Sequence, residues 1–314
     1  MMPSHDKYYN LFLGKLMVLK RLHLYDVRGV KGVLYRHYSQ LAFKKYCPLS
    51  LAEMKQLRGG DNEYIVSLTT YGDRINTVHI TLDSLFTQKV KPARIMLWLS
   101  ADEFPGGYKD LPKELSERCE SIEWFDIQFC DDLKPHKKYY ESMRNHPDKV
   151  IVTCDDDVFY PSEWLMELDR LHKAHPGCIC CTNAHAITLT ESGEIREYSS
   201  WIHLTEEQGP SLLLCPIGVG GVLYPPDTLD ERLFDKPFIV KNCINADDLW
   251  LKAMSLLKKT EVVKTNKYWY TFLNIPQSSE GALSKQNVLQ NRNDEQLSNI
   301  IKKYGDALLG ILKS

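Results

Sequence analysis

Several things are scarce in this sequence of 314 residues. It has no run of about 18 uninterrupted apolar residues, so a transmembrane helix is not expected. Neither sign of charge dominates: 39 Lys and Arg face 41 Asp and Glu, a net of −2, and nothing points to nucleic acid as a partner. With only 17 Gly and 15 Pro the chain is not collagen-like, and 43% apolar residues exclude disorder. It has no internal repeat and no low-complexity tract. The nine cysteines are an odd number and lack framework spacing. Most sit in apolar strand-like runs (Cys154, Cys178, Cys180, Cys181, Cys215), as buried free thiols of a reducing cytosol do. Cys178-Ile179-Cys180-Cys181 lacks the second ligand pair of a zinc site, although His172, His175 and His185 lie nearby in sequence. The chain opens on polar Pro3-Ser4-His5-Asp6 rather than a basic stretch before an apolar run. A secretory signal is therefore not expected, and a cytoplasmic place is.

Charge is unevenly spread. Residues 1–48 hold nine Lys and Arg against Asp6 and Asp26, a net of +7. Tyr8, Leu11, Phe12, Leu16, Leu19 and Leu22 recur at helical spacing, and a second helical stretch runs from Val33 to Tyr46 before Pro48. Two readings stay open: a helical extension packed on the main domain, or a basic amphipathic surface resting on anionic lipid.

Arg58-Gly59-Gly60-Asp61-Asn62 reads as a linker. Beyond it, strands expected at Glu63–Thr69, Arg94–Ser100, Ile122–Phe129 and Lys149–Cys154 alternate with helices at Thr77–Thr87, Lys113–Arg118 and Tyr139–Asn145. That alternation predicts an α/β fold: a mainly parallel central sheet with helices on both faces. Further helices are expected at Ser162–Ala174, Ala246–Lys258 and Asp294–Leu312, with strands near 178–190 and 196–204. This divides the chain into a basic extension and linker (1–62), a main domain (63–295) and a C-terminal helix (296–314).

The sharpest chemical feature is Val150-Ile151-Val152-Thr153-Cys154-Asp155-Asp156-Asp157-Val158, an apolar strand running into three carboxylates. Ligands of open parallel sheets bind outside the carboxyl ends of strands. Three adjacent acids repel one another, and a hard divalent cation such as Mg²⁺ or Mn²⁺ relieves that while taking phosphate oxygens as further ligands. The plainer alternative is a solvated acidic turn or a helix cap ahead of Pro161-Ser162-Glu163-Trp164. A second feature is Ile217-Gly218-Val219-Gly220-Gly221-Val222, where bare backbone lets a ligand approach, or simply forms a β-bulge. It is not a phosphate loop, because GxxxxGK[ST] is absent. A third is Asn245-Ala246-Asp247-Asp248-Leu249-Trp250, which also reads as ordinary N-terminal helix chemistry.

These segments, with Ile65-Val66-Ser67-Leu68-Thr69-Thr70-Tyr71-Gly72-Asp73-Arg74 and Leu82-Asp83-Ser84-Leu85-Phe86, resemble the nucleotide-sugar-dependent glycosyltransferases of the GT-A type. More narrowly, the resemblance is to bacterial capsular and exopolysaccharide glycosyltransferases, and it covers about residues 63–295. It implies a GT-A-like domain that moves a hexosyl unit from a nucleoside-diphosphate sugar, UDP foremost, to a glycan or lipid-linked glycan hydroxyl. The implied setting is surface-polysaccharide synthesis at the inner face of the cytoplasmic membrane. It gives the metal to Asp157 and Asp155 and a ribose or sugar contact to Asp156. It gives the nucleotide to Thr69, Tyr71 and Arg74, and a basic position near the donor to Lys137 or Lys138. Gly220 and Gly221 fall beside the sugar and the acceptor. Asp248 becomes the general base, supported by Asp247, and such a pair points to inversion. One feature departs from the pattern: no His follows His203, so the family's late His ligand is missing, with Asn287, Asn293 or Asp294 as candidate replacements.

Two other classes compete. DDDV after an apolar strand fits the DxDx[TV] element of haloacid-dehalogenase-like phosphatases, although that nucleophile ends the first strand of its domain and three strands precede it here. A non-catalytic carbohydrate-binding or assembly protein would make use of the 17 Tyr and 6 Trp, which core packing explains equally well.

Overall fold

A computed structural model describes residues 43, 46–204, 206–266, 272–275 and 292–312. Nearly all of the basic segment, Asn287 and the helices expected before Tyr46 lie outside the described residues.

The strands are β1 (Tyr64–Thr69), β2 (Arg94–Ser100), β3 (Phe125–Cys130), β4 (Val150–Thr153), β5 (Val158–Phe159), β6 (Ile179–Cys181), β7 (Ala184–Ala186), β8 (Ile202–His203), β9 (Gln208–Ser211), β10 (Leu214–Pro216), β11 (Val222–Tyr224), β12 (Val262–Lys264) and β13 (Leu273–Asn274). The helices are α1 (Leu51–Met54), α2 (Val78–Phe86), α3 (Lys113–Ser121), α4 (Lys137–Asn145), α5 (Trp164–Ala174), α6 (Lys236–Asn242), α7 (Asp247–Leu257) and α8 (Arg292–Leu312). One sheet takes the order β3-β2-β1-β4-β11-β6-β12-β9. Its first four strands are parallel, β11 runs against both β4 and β6, β12 is parallel to β6, and β9 is antiparallel. The mainly parallel sheet expected from the sequence is therefore present.

Strand alternation loads the two faces with different partners. Val66, Leu68, Ile95, Leu97, Val152 and Leu223 face α2, α3 and α5 through Leu82, Leu85, Phe86, Leu115 and Leu168. On the other face, Ile65, Met96, Trp98 and Ile151 meet Met143 of α4, and Cys181, Val222 and Val262 meet α6, α7 and α8. Helices thus cover both faces. The last helix starts at Arg292 rather than Asp294 and buries Leu297, Ile300, Tyr304 and Leu308 in the second of these cores.

Two differences from the sequence reading bear on the site. The segment Arg58–Asn62 is pinned rather than loose: Gly60 N donates to Pro92 O at 2.8 Å, and Asn62 Nδ2 to Lys91 O at 2.7 Å. A Cβ on Gly60 would lie 1.9 Å from Lys91 O, so only glycine fits there. Just before it, Leu49 and Met54 enter the core, while the buried Asp83 carboxylate accepts from the Tyr46 hydroxyl, from Leu49 N and from both Nε and Nη2 of Arg118. Secondly, helix α4 starts two residues earlier than expected, because Pro135 in the preceding 3₁₀ turn fixes helical φ. Lys137 and Lys138 are thereby in its first turn.

Among the described residues no helix is long and apolar enough to cross a membrane. All nine cysteines are free thiols.

Candidate active site

The chain passes from β1 outward to β2 and β3, then returns to the opposite side of β1 as β4. Loops leaving β1 and β4 therefore start from neighbouring strands at the strand-order reversal, the place where open α/β sheets bind ligands. Thr70–Arg74 follows β1, and Asp155–Asp157 follows β4. Antiparallel β11 begins beside the end of β4, with Val222 opposite Thr153, so the glycine segment ahead of it reaches the same edge.

The three acids are treated unequally. Asp156 is buried, 5% exposed, and closed off: Arg74 Nη1 stands 2.7 Å from Oδ1, and Thr70 Oγ1 donates to Oδ2 at 2.5 Å. Its backbone carbonyl accepts from Thr81 Oγ1 at 2.7 Å. Arg74 also reaches Asp157 with Nη2 at 3.1 Å, and its guanidinium lies 5.0 Å over the Tyr71 ring. Asp157 is nonetheless pushed up to about 7, first by burial and then by Asp156 and Asp155. Asp155, whose side chain is 30% exposed, pairs with Lys138 Nζ at 2.9 Å. None of the three caps a helix: α5 begins at Trp164 after Glu163, which makes no side-chain cap bond.

Lys138 also holds Asp247 Oδ2 at 2.8 Å, so one buried ammonium links the acid loop to the start of α7. Burial opposes the charge on Asp247, but Lys138 outweighs it and holds the carboxyl below its usual range. The next residue goes the other way. Asp248 accepts from Gly218 N at 3.1 Å and is pushed up to about 7 by burial, with Asp247 adding to the rise. Asp247 and Asp248 stand in the first turn of α7, where the helix dipole favours carboxylates, but the N-cap is Ala246 and no side chain caps the helix.

Several expected residues take other positions. Lys137 pairs with Asp132 at 2.6 Å, outside this cluster, so Lys138 is the basic residue of the pair that enters it. The sequence offered both, and only the helical phase set by the early start of α4 separates them. Thr69 Oγ1 donates to Trp98 O at 2.8 Å, at the end of β1. Gly220 and Gly221 pack against protein: a Cβ would lie 2.0 Å from Thr182 Oγ1 and 2.4 Å from Trp164 respectively. Gly221 has φ +90° as well. Gly218 is the glycine at the cluster, with its Cβ position 2.9 Å from Lys138 Nζ and 3.0 Å from Asp248 Oδ1. Of the candidates for a late ligand, Asp294 accepts from Tyr198 N at 2.5 Å and Asn293 stands in the first turn of α8.

Among the described residues no three His, Cys, Asp or Glu side chains form a group that could hold a metal. Asp155 and Asp157 supply two hard oxygen donors on one loop, each paired with a single cation, Lys138 at 2.9 Å and Arg74 at 3.1 Å. That fits Mg²⁺ or Mn²⁺ completed by phosphate oxygens rather than a dedicated protein cage.

Neither a family model nor a curated protein matches this chain. Solved structures similar to it include the following two. 4-Diphosphocytidyl-2C-methyl-D-erythritol synthase is 9% identical with a TM-score of 0.41, covering 73% of this chain and 99% of that one. Residues 1–349 of S. aureus TarS are 11% identical with a TM-score of 0.41, covering 77% of this chain and 71% of that one.

Proposed function

We propose that this chain is a GT-A-type glycosyltransferase that moves a hexosyl unit from a nucleoside-diphosphate sugar, UDP foremost, to a glycan or lipid-linked glycan hydroxyl. One observation carries the reading. The acid loop and a second carboxylate pushed up to about 7 stand at the same sheet edge, joined by Lys138. Asp155 and Asp157 would hold a divalent cation, which neutralises the donor diphosphate when bound. Arg74 fixes Asp156 and stacks on Tyr71, and the two would hold the nucleotide. Asp248 takes the proton of the acceptor hydroxyl as the new glycosidic bond forms and the nucleoside diphosphate leaves with the old bond's electron pair. A base matched to neutral pH suits that step. Direct displacement of this kind inverts the anomeric centre.

The test is release of UDP from a panel of UDP-hexoses with Mn²⁺, in the presence and absence of glycan acceptors. No turnover with intact nucleotide binding would point to the non-catalytic carbohydrate-binding class. Phosphate release from simple monoesters would point to a phosphatase, which is disfavoured because Asp155 follows the fourth strand. Residues 1–48 extend the proposal: their +7 charge suits peripheral contact with an anionic membrane carrying a lipid-linked acceptor in capsule or exopolysaccharide synthesis.

A further inference from the structure

The glycine segment that reaches Asp248 is fastened to the acid loop by one hydroxyl. Tyr160 OH accepts from Asp155 N at 3.0 Å and donates to Val219 O at 3.0 Å. Around that bridge the segment is held residue by residue. Gly220 O accepts from Trp164 Nε1 at 2.7 Å and from Thr182 Oγ1 at 2.8 Å, and Gly221 N donates back to Gly218 O at 2.8 Å. The Gly218 amide donates to Asp248. The Tyr160 ring is buried between Trp164 and Phe272, with centroids 4.6 and 5.5 Å away. Its backbone N donates to Ser84 Oγ at 3.0 Å, which fixes the base of the side chain on α2.

We propose that Tyr160 is a positioning residue of the transfer reaction: its hydroxyl sets the spacing between the donor-holding Asp155 and the proton-accepting Asp248. The inference rests on the glycosyltransferase reading. Lys138 makes a second, electrostatic link between the same two regions, but it grips Asp247 and not the base itself. The Tyr160 route runs from Asp155 N to Val219 O, next in chain to the Gly218 amide that donates to Asp248. A small shift of a reacting group costs far more in rate than in affinity, since near-attack geometry falls off within about 1 Å.

Tyr160→Phe tests this, because it keeps the ring between Trp164 and Phe272 and removes only the bridging oxygen. The expected result is a fall in kcat of about tenfold to a hundredfold, with the dissociation constant for UDP and Mn²⁺ within twofold of wild type. A kcat equal to wild type, or a loss of nucleotide affinity in step with kcat, would overturn the positioning role. A second measurement needs no turnover. Adding UDP and Mn²⁺ to wild-type protein should slow amide exchange across Gly218–Gly221, and the slowing should vanish in Tyr160→Phe. Equal slowing in both proteins overturns the tie. Wild-type protein that binds UDP but transfers no sugar overturns the glycosyltransferase reading, and the catalytic role of Tyr160 with it, while exchange still reports whether the tie exists.

Discussion

The acid loop and the start of α7 confront the same difficulty in different ways. Each sets carboxylates side by side, and in each one carboxyl is ion-paired while its neighbour is pushed up to about 7, although burial raises Asp156 whereas at Asp247 burial is outweighed by Lys138, which lowers it. In the loop the ion-paired member is Asp156, enclosed by Arg74 and Thr70, and the strained one, Asp157, keeps 22% of its side chain exposed. At the helix the ion-paired member is Asp247, held by Lys138, and the strained one, Asp248, meets a backbone amide instead of a cation. An exposed, crowded carboxylate with hard oxygens beside it is relieved by a metal ion. An enclosed one that receives a single neutral donor is relieved by a proton. On the proposed reading, like residues in like pairs would serve as a cation site and as a base.

The most drastic way to break the contrast is to neutralise each strained acid in turn. Asp248→Asn should lower turnover about 10²–10⁴-fold while leaving UDP affinity intact, as equilibrium binding would show. Asp157→Asn should also abolish turnover, but with loss of Mn²⁺-dependent UDP binding. Identical phenotypes would erase the distinction.

Removing the shared cation comes next. Lys138→Met strips a buried ammonium, 6% exposed, from Asp155 and Asp247 together, and should cost about 3–5 kcal/mol of stability. Arg74→Met, at a more open site, should cost about 1–3 kcal/mol. Urea unfolding at pH 7 measures both, and the reverse order would contradict the burial argument.

A subtler separation uses pH. Asp248 ionises at about 7 in the folded protein, well above the usual carboxylate value of about 4. Its contribution to stability is therefore complete below about pH 4 and is lost as pH rises through 7. Activity has the opposite sign, because a base must be ionised: kcat/KM should rise through about pH 7. Asp157 titrates in the same range, so saturating Mn²⁺ should shift its part of the profile to lower pH and leave the Asp248 part in place. A profile that moves as a whole with Mn²⁺ would mean that both limbs belong to the loop.

The smallest effect should come from outside the site. Truncation just ahead of Phe43 spares the Tyr46–Asp83 contact and removes most of the basic segment. It should weaken binding to anionic vesicles at low salt, at about 1 kcal/mol or less per Lys or Arg, without altering hydrolysis of the donor. Vesicle sedimentation and UDP release measure the two halves of that statement.

Much of the frame was legible in the sequence because hydrophobic runs and their spacing determine it. The strand Arg94–Ser100 has the bounds expected, and Lys149–Cys154 and Ala246–Lys258 each shorten by one residue at either end. The acid triplet was visible as a strand end, and Asp247-Asp248 as an acidic pair. What stayed hidden depends on directions that sequence spacing does not carry. Val222–Tyr224 gave no sign that it would enter the sheet antiparallel, and short strands such as Val262–Lys264 are set by their neighbours. The choice between Lys137 and Lys138 turned on where α4 begins. Gly220 and Gly221 looked like ligand glycines but answer to Thr182 and Trp164. Tyr160 resembled any aromatic core residue, and only its two hydrogen bonds distinguish it.

The reversed strand has a consequence for which parts of this chain can change length. The Gly218–Gly221 segment enters a strand whose register is already set, with Val222 against both Thr153 and Cys181. One residue added there and taken up by β11 would turn Leu223 from the α5 face to the α7 face and send Val222 and Tyr224 the other way. Along this stretch the number of residues is as fixed as the glycines themselves.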